Sequence, residues 1–322
     1  MRNRKRDVSD APTASPARRR DWRAYFARTW FIYLIFLIVL IWYGIFRYAP
    51  MYGVQIAFRR YTPSAGIWNS RWVGLKNFER FFTSAYFTRV FRNTIVMNLL
   101  NLIFAFPAPI VFALMLNEIR HSAVKRSIQT ISYLPHFISM VVLTGIMHDF
   151  LNDTGTITTL LNRVFGLPRK VWLNDVNAYR TIYILSDIWK DLGWSAIIYL
   201  AALSNVDTDL YDAAEIDGCG SIRKIIYVTL PGIAPTIIIL LILRIGSMLS
   251  LGVEKTLLLY NPNTWEVSDI ISSFVYRRGF GIDGRADYSF STAVDLFNAV
   301  VNLCLLTLAN IVARRFSETS LW

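Results

Sequence analysis

The stretch FIYLIFLIVLIWYGIF, residues 31–46, contains no charged side chain. With its neighbours at 30–47 it approaches the roughly 20 apolar residues that an α-helix needs to cross a bilayer. A signal peptide is the alternative, because basic residues precede the run. The run is longer than a signal-peptide core, however, and Phe46, Arg47 and Tyr48 follow it in place of small residues. It is therefore predicted to be a transmembrane helix.

Five further apolar stretches are candidates for membrane-spanning helices. Hydrophobic residues make up 54% of the 322-residue chain and charged residues 17%, and the mean hydropathy is +0.38. Soluble domains are about 25% charged. The sequence predicts an all-α integral membrane protein with six transmembrane helices, and it disfavours a soluble enzyme. The five further stretches cover residues 91–116, 128–150, 178–203, 232–251 and 288–313.

Basic residues indicate the orientation of the chain. The formal net charge is +12, and nine Lys and Arg residues precede Trp30. The positive-inside rule places this tail in the cytoplasm, and six spans return the C-terminus to the same side. The remaining inner segments hold seven Lys and Arg against 13 in the outer loops, so the tail decides the orientation.

We predict three regions along the chain. Residues 1–29 form a basic cytoplasmic tail, 30–313 the transmembrane domain, and 314–322 a cytoplasmic C-terminal tail. Trp22 and Phe26 lie one turn apart among arginines, which is typical of a short helix on an anionic membrane surface at 18–29. Lipid is therefore the expected partner of the tail, and nucleic acid is not.

The loop between the fourth and fifth stretches, at 204–231, has a distinctive pattern. It reads SNVDTDLYDAAEIDGCGSIRKIIYVTLP. Asp207 can cap a helix that starts near Asp209, and Gly218 and Gly220 allow a sharp bend after it. Pro231 suits the first turn of the fifth span. An ordinary helical loop packed on its own bundle is the alternative.

This loop resembles the EAA motif of the permeases of ATP-binding-cassette importers. That motif is Glu-Ala-Ala, three residues, Gly, nine residues, Ile, one residue and Leu-Pro. The chain departs from it conservatively, with Asp for Glu and Val228 for Ile. The resemblance implies the type I importer permease fold and a coupling helix that docks on an ATPase. The residues implied in coupling are Asp212, Ala213, Ala214, Glu215, Asp217, Gly218, Leu230 and Pro231.

Other stretches resemble one branch of that family. YAPMYGVQIAF at 48–58, WVGLKNFERFF at 72–82, and Arg92-Asn93-Thr94 are similar to the maltose-type carbohydrate permeases. Together with the C-terminal ARRFSETSLW, they are most similar to the LplB-like polysaccharide permeases. An interfacial helix is a structural explanation for 72–82, and both explanations can hold together.

The resemblance implies the other parts of a transport machine. They are a second homologous permease, two ATPases that carry ATP and Mg, and an extracytoplasmic sugar-binding protein. The chain has no G-x-x-x-x-G-K-[ST] phosphate loop, so we expect a non-catalytic subunit without a cofactor of its own. The expected location is the bacterial cytoplasmic membrane, with several spans.

Polar residues within the spans are candidates for the substrate pathway, because they are costly to place in lipid. Tryptophans there can stack on sugar rings. The alternative is that Asp187–Lys190 and Arg244–Asp295 are structural pairs and that the asparagines bond between helices. The candidates are Asn98, Asn101, Asp187, Trp189, Lys190, Asp191, Trp194, Arg244, Asp295 and Asn298.

The charge of the outer loops indicates a class of sugar. They hold 13 Lys and Arg against 8 Asp and Glu, and such a positive field favours an anionic ligand. We expect an acidic oligosaccharide, such as an oligouronide from alginate or pectin. A neutral oligosaccharide is the alternative, with the basic loops docking an acidic binding protein. Peptide import, export and a membrane enzyme are less favoured, and His121, His136 and His148 are too scattered to indicate a metal site.

Overall fold

The computed structural model describes residues 22–250, 252–282, 284–316 and 320–321. The predicted tail at 1–21 lies outside the described residues, as does part of the C-terminal tail. The chain divides into two units, 1–53 and 54–322. Helices dominate both, and the one sheet in the described residues pairs two short antiparallel strands, β1 (Arg59–Arg60) and β2 (Arg71–Trp72).

The first unit is built on one long helix. Helix α1 (Trp22–Tyr43) continues through a π-helical segment (Gly44–Tyr48) into α2 (Ala49–Met51). From Trp22 onward the predicted interfacial helix is part of α1 and not a separate element. Residues 22–29 contain neither glycine nor proline, so nothing interrupts the backbone ladder before the apolar run.

The described residues of the second unit form fifteen further α-helices joined by short connections. Several of these connections are 3₁₀ turns, at Tyr52–Phe58, Leu134–Phe137, Trp172–Asn174, Met248–Ser250 and Pro262–Thr264, and two are π-helical segments, at Asn101–Ala105 and Ile225–Thr229. The α-helices are α3 (Gly66–Asn69), α4 (Lys76–Phe82), α5 (Phe87–Leu100), α6 (Pro107–Asn117), α7 (Ser122–Tyr133), α8 (Met140–Phe150), α9 (Thr156–Phe165), α10 (Val176–Leu203), α11 (Thr208–Ile216), α12 (Ser221–Lys224), α13 (Leu230–Gly246), α14 (Val253–Leu258), α15 (Trp265–Ser268), α16 (Ile271–Phe280) and α17 (Tyr288–Phe316).

Four continuous helical stretches in the described residues are long and apolar enough to cross a membrane, and a bent pair raises the number to five. Helix α10 occupies the predicted fourth span but is not among these candidates, since Asp187, Lys190 and Asp191 lie in its middle. The four stretches are Tyr25–Phe58, Phe87–Asn117, Ser221–Gly246 and Tyr288–Arg315.

The third predicted span is broken, which corrects the expectation of one helix at 128–150. Its two parts, Ser122–Phe137 and Met140–Phe150, meet at 98°. Pro135 lies in the 3₁₀ turn before the break and has no backbone N–H to continue a ladder. Ser139 then starts α8, because its hydroxyl accepts a hydrogen bond from the Val142 amide at 3.3 Å.

The fifth span also differs from its prediction. We expected the end of the loop, up to Pro231, and the span that begins near it to be separate. The structure has one helix from Ser221 to Gly246 that includes both. The π-helical segment Ile225–Thr229 ends just before Leu230 and Pro231. Its wider turn lets the helix pass a residue without an N–H. The end of the loop and the predicted span therefore form one continuous helix.

Helix α10 lies at the centre of the packing and contacts α6, α7 and α13. Asp175 caps its start, accepting a hydrogen bond from the Asn177 amide at 2.8 Å. The hydrogen bond from Lys170 is the main reason that the pKa of Asp175 lies below its usual value. At Gly193 the backbone of α10 runs directly against the carbonyl of Ser132 in α7.

Gly193→Ala tests this close approach. The added Cβ would lie 2.3 Å from the Ser132 carbonyl oxygen, and overpacking of this kind costs about 1–3 kcal/mol of unfolding free energy. We expect a lower midpoint of thermal unfolding in detergent. Gly145→Ala in α8 is the matched control, because beyond its own helical turn no atom of the described residues lies within 4 Å of the added Cβ and alanine is favoured in helices. Equal losses at both positions would contradict the close packing.

Candidate functional site

A cavity of about 860 Å³ opens among α6, α10, α13 and α14. Aromatic and aliphatic side chains, including Tyr183 and Tyr199, form much of its wall. Its size suits a ligand of a few rings. Five of the ten predicted pathway residues line it, namely Asn101, Asp187, Asp191, Trp194 and Arg244.

Lys255 of α14 anchors the cavity wall, and sequence reasoning did not find it. Its ammonium donates to the Asp187 carboxylate at 2.6 Å and to the Tyr183 carbonyl and Ser186 hydroxyl at 2.8 Å each. The Lys255 side chain is 1% exposed and the Asp187 side chain 20%. All three ammonium protons are therefore used, and Asp187 pairs with Lys255 and not with Lys190 as the structural alternative supposed.

Asn101 joins this pair to Arg244. Its amide nitrogen donates to the Asp187 carboxylate at 3.3 Å, and its carbonyl oxygen accepts a hydrogen bond from the Arg244 guanidinium. Asn101 begins the π-helical segment between α5 and α6. In the described part of the chain Arg244 forms no ion pair, so the supposed pair with Asp295 is wrong.

A second group of side chains holds the bend between α7 and α8 against α10. Lys190, 8% exposed, donates to the His136 carbonyl at 2.7 Å. Asp191 meets His136 Nδ1 at 2.8 Å, and the His136 ring stacks on Trp194 at 4.5 Å between centroids. One face of Trp194 is thus covered, while the residue still lines the cavity and remains 44% exposed.

The other predicted pathway residues lie outside the cavity wall. Buried Asn98 donates to the Thr94 carbonyl of its own helix at 2.6 Å. Trp189 is exposed on α10, and Asp295 and Asn298 lie on α17, exposed and buried respectively. Trp189 shares α10 with several cavity residues, whereas the cavity lining in the described residues includes none from α5 or α17.

A buried polar cluster explains the Arg92-Asn93-Thr94 stretch. The Asn93 amide donates to the carbonyls of Glu266 and Asp269, and the Thr94 hydroxyl accepts from the Ile271 amide at 2.9 Å. Asp269 is fully buried and bound by both terminal nitrogens of Arg277, at 2.8 and 2.9 Å. These bonds fasten the junction of α15 and α16 to α5.

The loop with the EAA-like spacing forms helix α11 and a tight turn. Asp207 caps the helix as expected, accepting from the Asp209 amide at 3.0 Å. Gly218 has a φ of +71°, and Cys219 N–H donates to the Ala214 carbonyl at 2.9 Å. A left-handed residue at this place suits glycine. The expected sharp bend after the helix is present, although Gly220 is extended, with φ −71° and ψ 165°.

Contacts within the loop tie α11 to the long helix that follows. Glu215 accepts a hydrogen bond from Lys224 at 3.0 Å, and this bond lowers the pKa of Glu215. The Tyr211 hydroxyl donates to the Thr229 hydroxyl at 3.1 Å. Ala214 is buried, whereas Asp212, Ala213 and Asp217 are exposed. The predicted Leu230 and Pro231 lie at the start of α13.

An exposed apolar face surrounds this loop. Leu210 is 52% exposed, Ile216 87%, Ile222 74% and Tyr227 73%. Exposed apolar side chains beside charged ones are typical of surfaces that other proteins cover. We refer to these four residues as the loop face.

Comparison with known proteins gives consistent matches. Residues 105–318 match the family described as binding-protein-dependent transport system inner membrane component. The chain is 42% identical to Protein LplB of Bacillus subtilis (strain 168) over 314 residues, which cover 97% of this chain and 98% of that protein. It is also 42% identical to the polygalacturonan/rhamnogalacturonan transport system permease protein YteP of the same organism, over 91% and 90% of the two chains.

A solved structure is similar over nearly the whole length. It is a bacterial alginate ABC transporter in complex with an alginate pentasaccharide-bound periplasmic protein. The similar chain is 40% identical, and the match has a TM-score of 0.84 and covers 94% of this chain and 100% of that one. A second structure, of a transporter that imports the acidic polysaccharide alginate, matches with a TM-score of 0.82.

Lys255→Met tests the buried pair in the cavity wall. Breaking a buried pair leaves an uncompensated charge and costs about 3–5 kcal/mol of unfolding free energy; we expect the lower end, since Asp187 keeps some exposure. The double variant Asp187→Asn with Lys255→Met should be more stable than Lys255→Met alone. Thermal unfolding in detergent measures both, and a double variant as unstable as the single one would contradict the pairing.

Proposed function

The chain belongs to the family of binding-protein-dependent transport system inner membrane components, and we propose that it is the translocation subunit of an ATP-driven importer of acidic oligosaccharides. The proposal depends on one observation about the helix Ser221–Gly246. Near its end, Arg244 lines a cavity large enough for a sugar, and α11, the helix of the EAA-like loop, precedes its start. The family supports the assignment as an importer subunit, and the cavity with Arg244 supports an acidic sugar as the ligand.

The proposed arrangement in the membrane has six spans. They are the four apolar helices, the bent pair α7–α8, and α10, whose charged residues are satisfied inside the protein. Both termini then lie in the cytoplasm with α11. This location in the bacterial cytoplasmic membrane agrees with the family description as an inner membrane component.

The partners follow from this arrangement. The loop face would dock one of two ATPases, which supply ATP and Mg, and a second homologous permease would complete the pathway. A binding protein would deliver the sugar from outside; the similar alginate transporter was solved with such a periplasmic protein. The chain itself would carry out no chemistry.

The acidic character of the sugar has three supports. The outer segments of the proposed topology carry a net excess of five basic residues, and Arg244 lines the cavity without a carboxylate partner in the described residues. The similar proteins named for polygalacturonan/rhamnogalacturonan and for alginate point to oligouronides. A neutral oligosaccharide is the second candidate, because the outer basic residues would equally dock an acidic binding protein.

Gly218→Val tests the role of the loop. A branched residue at a left-handed φ costs more than about 1 kcal/mol and distorts the turn after α11. We expect the reconstituted complex to hydrolyse ATP without importing sugar, while its membrane domain stays folded. Gly220→Val is the matched control, because the extended backbone there accepts a side chain. Coupled transport at the wild-type level by Gly218→Val would contradict the role.

A series of sugars tests the proposed function. The complex with its binding protein is reconstituted in liposomes, and ATP hydrolysis is measured with oligouronides and with the same oligosaccharides after reduction of their carboxyl groups. We expect stimulation by the acidic series alone. Stimulation by both series would favour the neutral alternative, and stimulation by neither but by peptides would overturn sugar import.

A further inference from the structure

One connected group in the cavity wall contains one more cation than carboxylate, although the whole wall has three carboxylates and two cations. Lys255, Asp187, Asn101 and Arg244 form a continuous chain of hydrogen bonds, which we name the cavity network. Two of its members are cations, one is a carboxylate and one is a neutral amide. A cation in a site shielded from water is poorly satisfied by an amide alone.

Arg244 is the member that is open to a ligand. Lys255 is almost fully buried and uses its three protons within the protein. Arg244 is half-buried, lines the cavity, and forms a hydrogen bond to Asn101 through one terminal nitrogen. A guanidinium has five donors, and a carboxylate can accept two of them side by side.

The remaining acids of the cavity leave Arg244 as the favoured position for a ligand carboxylate. Asp191 is bound to His136, and Glu254 is exposed on α14. Both are negative and would repel a uronate placed beside them. A uronate carboxylate therefore has one favourable position among the described cavity residues, at the Arg244 end of the network.

The Arg244–Asn101 hydrogen bond also connects α13 to the segment between α5 and α6. Arg244 lies near the end of the helix Ser221–Gly246, about 35 Å from its start at 1.5 Å per residue. The start of that helix is tied to α11 through Tyr211 and Thr229. Asn101 belongs to the π-helical segment between α5 and α6. The bond thus holds the helix of the coupling loop to a different helix pair.

We propose that Arg244 recognises a substrate carboxylate by exchange. The carboxylate replaces the Asn101 carbonyl oxygen on the guanidinium, because a charge-assisted bidentate bond is stronger than a bond to a neutral amide. The exchange releases α13 from the α5–α6 junction while Asn101 stays bonded to Asp187. Substrate charge thereby shifts the helix that leads to the ATPase loop, since the ligand binds the released state better than the tied one. This inference rests on the proposed function.

Two substitutions test the exchange because it predicts opposite effects for them. Arg244→Gln removes the charge, so the concentration of oligouronide that half-maximally stimulates ATP hydrolysis should rise about ten-fold or more. Asn101→Leu removes the competing acceptor and the tie, so this concentration should fall and the rate of hydrolysis without sugar should rise about three-fold. Thermal unfolding of both complexes in detergent verifies that they are folded.

A matched control and the sugar series separate the possible failures. Arg126→Gln removes one exposed cation from α7, on the inner side in the proposed topology, and the ratio between oligouronide and carboxyl-reduced stimulation should not change. Asn101→Leu with a wild-type rate in the absence of sugar and a wild-type half-stimulating concentration would overturn the exchange, with sugar import intact. Weaker stimulation in both variants would also overturn it and indicate a structural role. Equal stimulation of the wild type by oligouronides and by their carboxyl-reduced forms would overturn recognition of the carboxylate. In that case, faster ATP hydrolysis by Asn101→Leu without sugar would still support a restraining role for the Arg244–Asn101 hydrogen bond.

Discussion

The need to satisfy charges on a helix inside an apolar bundle governs this structure. Helix α10 carries Asp187, Lys190 and Asp191 over little more than one turn, and each would be costly in lipid without a partner. Two other segments provide their partners. Lys255 comes from α14, the His136 carbonyl from the broken backbone between α7 and α8, and the His136 ring from the same turn. The bend between α7 and α8 and the short helix α14 thus provide the hydrogen-bond partners of the charged residues on α10.

The cavity follows from the same arrangement. Asn101 and Lys255, which both bind Asp187 of α10, also line the cavity. The wall therefore combines tyrosines and aliphatic residues with a few fixed polar groups, as ligand sites generally do. Its location beside α13 brings a ligand within reach of the helix that begins at the proposed ATPase loop.

The sequence predicts the membrane class, the positions of the apolar runs and the capped helix at 208–216, because each depends on local patterns. It also selects five residues that meet in the cavity. It does not predict Lys255, whose partner Asp187 is 68 positions away, nor the continuity of the helix through Pro231, which depends on a π-helical turn. The sequence likewise does not predict that Asn98 and Asn101 differ in their partners. The π-helical segment beginning at Asn101 changes the helical register, so Asn98 bonds within α5 while Asn101 faces α10.

The loop face has a consequence for how such a complex is made in a cell. Leu210, Ile216, Ile222 and Tyr227 have exposed apolar side chains. A chain synthesised without its docking partner leaves this patch in water, where it promotes aggregation and degradation by proteases. Production of the subunit in step with its partner, as from a shared transcript, removes that hazard. Under the proposed function, the surface that docks the ATPase therefore also constrains the stoichiometry and timing of assembly.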